Sequence, residues 1–139
     1  MPNATDLIVL LVVGFVLLDA IIVFYIFWRK RNRKARFDHS FYQTQWQNLD
    51  NISQSSPAQA LLEADKLFDH AMRDLGYAGT FVEKFQKAQS LVRDSQPIWN
   101  AHKLRNRIAH EAGFQIDARQ IRSVLSAFRK GLSDFGVKF

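Results

Sequence analysis

The sequence predicts an all-α protein: one N-terminal transmembrane helix followed by a small cytoplasmic bundle of four to five helices. Three observations predict it. A long run that is apolar apart from one acid, Leu7 to Trp28, lies near the start of the chain. Beyond it, apolar residues recur at three- and four-residue spacing, and no alternating strand pattern appears. Helix-capping residues and breakers punctuate these segments where short helices would begin and end.

The apolar run is interrupted only by Asp19. As a helix it would measure roughly 33 Å at about 1.5 Å per residue, enough to cross a bilayer core. It reads as a retained anchor rather than a cleaved signal peptide. Residues 1–6 carry no cation, the run is too long, and no small-x-small cleavage site follows. The cations Arg29, Lys30, Arg31, Arg33, Lys34 and Arg36 follow it directly. The positive-inside rule then puts Met1 outside and the C-terminal part in the cytoplasm of a single-pass cell-membrane protein. The expected divisions are an extracytoplasmic 1–6, a span over 7–28, a basic juxtamembrane segment 29–36, and a cytoplasmic bundle 37–139. The basic segment would also hold anionic lipid headgroups, at about 1 kcal/mol per cation. Asp19, near mid-span, would cost about 2.5–3.5 kcal/mol on insertion scales. It is either a neutral acid tolerated in a very apolar helix, or a pairing point with a second copy or another membrane protein. No small-xxx-small pair strengthens the second reading.

The net charge of +6 is concentrated in that basic segment. Six of the 19 Lys and Arg lie there, and all but two of the 13 acids lie beyond it, leaving the bundle at only +2. A domain-wide nucleic-acid footprint is therefore not supported. One local asymmetry remains. Between Lys103 and Lys130, seven cations face only Glu111 and Asp117, so the C-terminal half is suited to something anionic. The absence of cysteine excludes disulfides, thiolate metal sites and cysteine nucleophiles.

Within the bundle, Phe41, Tyr42, Trp46, Leu49 and Ile52 mark a first helix over Phe37 to Ser53, continuing from the span with little break. Ser56, Pro57 and Gln59 form a capping-box start for a second, with Leu61, Ala64, Phe68, Met72 and Leu75 as its stripe and Gly76 as its stop. Thr80 with Glu83 caps a third, whose face is Phe81, Val82, Phe85, Ala88 and Val92. Pro97 starts a fourth, ending at Ala112 before Gly113. Asp117 with Gln120 caps the last, which is stapled by Ile116 and Ile121 and stopped by Gly136.

Polar chemistry is densest between Lys103 and Glu111. At about 100° per residue, Arg105 falls in the middle of that helix's apolar face, beside Ile98, Ala101, Ile108 and Ala109. A buried guanidinium needs a partner. Asp65 sits in the apolar stripe of the Pro57 helix, so a buried bidentate Asp65–Arg105 pair is expected. Asn106 and His110 lie one turn apart on an adjacent face, with Trp99 and Lys103 nearby.

Arg105-Asn106-x-x-x-His110 resembles the R-x(4–6)-H signature of HEPN domains, including the polar residue after the arginine. The resemblance implies a small all-α bundle, often dimeric, that is either a metal-independent ribonuclease or an inactive binding module. It assigns His110 as acid or base at the ribose 2′-hydroxyl and leaving oxygen, Arg105 as stabiliser of charge on the phosphate, and Asn106 as an orienting group. Arg105 and His110 are about 140° apart on a regular helix, so they would converge only across a dimer cleft or at a distortion. The membrane anchor is not part of the family pattern. His39, His70 and His102 are scattered, and no metal or cofactor site is expected. The leading expectation is a non-catalytic, membrane-tethered interaction or scaffold module. The alternative is a tethered ribonuclease, or an RNA- or nucleotide-binding module.

Overall fold

Helix-start and helix-stop chemistry fixes most element boundaries in this chain. The computed structural model describes residues 3–31 and 37–139. It contains six α-helices and, among the described residues, no strand.

The first, α1 (Ala4–Arg31), is a unit by itself. Its stretch Thr5–Ile26 is long and apolar enough to cross a membrane. Within this helix the large apolar side chains from Leu7 to Ile26 are 46–71% exposed. Helical pairing satisfies the interior backbone, which is what hydrocarbon demands of a spanning segment. Asp19 lies exposed inside this stretch. Of the basic run, Arg29, Lys30 and Arg31 belong to the last turn of α1, whereas Arg33, Lys34 and Arg36 lie outside the described residues.

The remaining helices form a second compact unit over residues 35–139. Helix α2 (His39–Ile52) starts afresh rather than continuing the span. Asp38 is extended, and its carboxylate accepts the Phe41 N–H at 3.2 Å. Helix α3 (Pro57–Asp74) begins with proline in its first turn, but the expected capping box does not form: the Ser56 side chain makes no cap bond. The preset backbone of Pro57 suffices to start the helix. At the other end Gly76, at φ 87°, turns the chain so that Tyr77 N–H reaches Met72 O at 3.0 Å.

Helix α4 (Phe81–Ala88) carries the predicted Thr80–Glu83 capping box. It is shorter than its apolar pattern suggests. A 3-10 turn, Gln89–Leu91, follows it, and Val92 is buried from an extended segment instead. Val82 faces outward, and Lys84 takes an inward place. Helix α5 (Gln96–His110) ends two residues before the expected Ala112. Its cap residue, Glu111, is extended and gripped by Arg107 at 3.1 Å. Helix α6 (Ala118–Phe135) has the Asp117–Gln120 capping box and a left-handed Gly136, as its sequence requires.

Helix α3 is central and packs against α2, α4, α5 and α6. Phe68 is wholly buried at its middle, with ring centroids 5.0–6.0 Å from Phe135, Phe128, Phe85 and Phe81. Helix α6 makes a close crossing at Gly131. A Cβ there would meet Ile98 Cδ1 and Phe68 Cε2 at 2.7 Å each. The chain end folds back on α2: Lys138 N–H donates to His39 Nδ1 at 3.2 Å, and the Phe139 ring packs on Trp46.

Candidate functional site

The interface of α3 and α5 gathers the polar side chains of interest. Asp65 is buried on the inner face of α3. Its Oδ1 lies 2.7 Å from His102 Nδ1, on a turn of α5 facing it. A carboxylate only accepts, so Nδ1 is the donor. The His102 imidazole stacks flat on Phe81, with centroids 3.8 Å apart and planes 3° from parallel. Asp65 Oδ2 lies 3.5 Å from Arg105 Nε. That nitrogen is buried and makes no well-aligned hydrogen bond, while Nη1 donates to Asn106 Oδ1 at 3.2 Å.

The expected bidentate Asp65–Arg105 pair is therefore corrected. Asp65 gives its short bond to His102, and Arg105 approaches only through Nε. The geometry is simple. His102 and Arg105 are one turn apart on the same face of α5, and the shorter imidazole reaches the carboxylate directly. The longer side chain is 30% exposed and carries part of its guanidinium toward the surface.

His110, the last residue of α5, is exposed. Among the described residues it makes no hydrogen bond or ion pair, whereas Arg105 and Asn106 are joined to each other. Lys103 is also exposed, and Trp99 is half-buried, its ring against Phe85 and its indole N–H on Gln89 Oε1 at 3.3 Å.

Two further polar placements escape simple periodicity. Lys84 is buried with its ammonium on both oxygens of Asp69, at 2.7 and 2.8 Å. Tyr42 is buried with its hydroxyl donating to Asp74 Oδ2 at 2.7 Å. Burial first, and the Asp74 carboxylate second, push that phenol well above its ordinary range. The signal for His102 was present in the sequence: on the helical wheel that turns Arg105 inward, His102 lies only about 60° away.

Grooves on the surface of the bundle include two that bear on the site. The smaller, about 50 Å³, runs between α2 and α3 beside Leu49 and Leu67. The larger, about 520 Å³, lies between the start of α5 and α6 beside Pro97, Ser126 and Lys130. Neither is lined by Arg105, Asn106 or His110. Among the described residues no group of three or more His, Asp and Glu is placed to hold a metal ion. No family model, no curated protein and no solved structure matches the chain.

Proposed function

We propose that the chain is a single-pass membrane-anchored protein whose cytoplasmic helical bundle is a non-catalytic interaction or scaffold module. The observation that carries this reading is the Asp65–His102–Arg105 cluster. It spends Arg105 on joining α5 to α3 and leaves it away from both grooves. The apolar exposed helix α1, followed by the basic run, supports an anchor with the bundle on the cytoplasmic side. Asp19 and the often dimeric nature of HEPN-like bundles favour a second copy or a membrane protein as partner.

One observation favours a second reading, a HEPN-like metal-independent ribonuclease using Arg105, Asn106 and His110. His110 is exposed and unengaged, one turn beyond Asn106, so it is free to meet RNA or the guanidinium of a second copy. Histidine titrates near neutrality, and arginine matches phosphate geometry.

Unfolding and cleavage measurements on the full chain in detergent micelles separate the two. For the scaffold, Asp65→Ala should cost about 3 kcal/mol, because it removes the shared partner of the buried His102 and the half-buried Arg105. The partly exposed Arg105 should cost less, about 1 kcal/mol on Arg105→Ala. The double variant should cost less than the sum, the mark of a shared contact. His110→Ala should leave the midpoint unchanged. RNA cleavage by the wild type that vanishes in a fully folded His110→Ala variant would sink the scaffold reading and establish the ribonuclease.

A further inference from the structure

The outward side of α6 gathers four cations and two hydroxyls. At about 100° per residue, Arg119, Arg122, Ser123, Ser126, Arg129 and Lys130 fall within an arc of about 120°, opposite the buried residues Val124, Phe128 and Phe135. All six are exposed. Elsewhere in the bundle, cations are mostly neutralised: Lys66, Arg73, Lys84, Arg93, Arg105 and Arg107 each have a carboxylate within ion-pair distance. Among the described residues none of the four α6 cations does. Arg129 lies over aromatic faces instead, 4.8 Å from the Phe139 centroid and 5.5 Å from that of Trp46. Asp134, at the edge of the arc, is taken up by Arg93 at 2.8 Å.

The groove of about 520 Å³ adjoins this arc and gives it depth. Ser123, Ser126 and Lys130 line its α6 side. Arg93 and the carboxylates of Asp94 and Asp134 line it too, so the groove itself is balanced in charge and the anionic preference of this face rests on the exposed cations of the arc.

We propose that this face of α6 is a docking surface for anionic phospholipid headgroups. The proposal rests on the anchoring reading above and extends it, because it adds a membrane contact within the folded bundle. Charge complementarity calls for an anionic partner, and the tether selects which one. Only ten residues separate Ile26, the last of the apolar stretch, from Phe37, the first of the bundle's core. Even fully extended they span roughly 35 Å. The bundle therefore meets a bilayer surface at high effective concentration, whereas a nucleic acid must arrive from solution. The arc also presents no aromatic side chain of its own on which bases could stack.

The chain has no cysteine, so Ser126→Cys places a single thiol on this face. The full chain carrying it is reconstituted into vesicles of phosphatidylcholine alone or mixed with phosphatidylglycerol, and labelled with a membrane-impermeant maleimide. Labelling should slow about tenfold in the anionic vesicles and recover at high salt. Adding Arg119→Gln, Arg122→Gln and Lys130→Gln, all at exposed positions, should abolish the difference. Equal rates in both vesicle types, or slowing that survives the triple substitution, would overturn the proposal. So would protection that appears only when RNA is added to neutral vesicles, which would transfer the face to nucleic acid. An alkaline carbonate wash separates the two levels. A chain stripped from the vesicles ends the anchoring reading and this one with it. A chain that stays but labels indifferently ends this one alone.

Discussion

Asp65 shows how one residue can hold two helices in register. Its two oxygens face two side chains from successive turns of α5, so sliding α5 by even one residue would separate both contacts. Periodicity reveals that an acid and an arginine face each other across this interface. It does not reveal which of two neighbouring donors takes the short bond, because that depends on side-chain length and on the depth at which Phe81 supports the imidazole. Lys84 is equally hidden, because its burial depends on the Asp69 carboxylate placed against it from another helix. Cap residues are the opposite case, since their partners lie three positions away in sequence. The Thr80 backbone N–H holds the Glu83 carboxyl below its ordinary value of 4.5. The Ser40 hydroxyl does the same for Asp38, below 3.8. A depressed carboxyl contributes stability above its ordinary pKa and loses it as pH falls through the folded value. The unfolding midpoint of the full chain should thus decline as pH falls below the ordinary values of these two carboxyls, 4.5 and 3.8. Glu83→Gln, which keeps the capping bonds without titrating, should flatten part of that decline. An identical acid slope in wild type and variant would count against this assignment.

At the scale of elements, the legible helices are those whose ends are local. Helix α6 has a complete N-terminal box, a single apolar face and a glycine stop, and Ile121, Val124, Leu125, Phe128, Leu132 and Phe135, which share that face, are all buried. Where an end depends on tertiary structure, the pattern misleads. Helix α4 yields to a 3-10 turn although its apolar spacing continues, because Val92 is buried from an extended segment. Helix α5 stops early because Arg107, which also covers the Phe114 ring at 4.2 Å, fastens Glu111. The helix crossing at Gly131 is another fact of assembly, invisible in a sequence where that glycine merely weakens helix propensity. Adding a methyl group there drives it into Ile98 and Phe68. Gly131→Ala should therefore destabilise the bundle by about 1–3 kcal/mol despite alanine's better helix propensity. Denaturant unfolding of the full chain checks this, and a stabilised variant would show that the crossing relaxes freely.

At the scale of the molecule, the chain divides into an apolar helix and a helical bundle. The division is written in composition: an apolar run with Asp19 as its one charged residue cannot be mistaken for segments that alternate faces every third or fourth residue. The proposed orientation is testable because the chain has no thiol of its own. In intact cells an impermeant maleimide should label Asn3→Cys from outside and leave Ser90→Cys unlabelled until the membrane is opened. The reverse pattern would invert the orientation.

The central position of α3 also sets an order of events during synthesis. The ribosome completes α3 long before α6, and the rings of Phe128 and Phe135 that close over Phe68 are encoded 60 to 67 residues after it. At about 5–20 residues per second, that interval is roughly 3–13 s. Throughout it, the apolar stripe of α3 stays without its principal cover while α1 has already been made. A nascent chain at this stage is half-finished in a specific sense: its long apolar helix is complete, and its helical bundle is not. Any ribosome that stalls before α6 leaves a chain whose uncovered helix is open to chaperones, proteases or another unfinished copy.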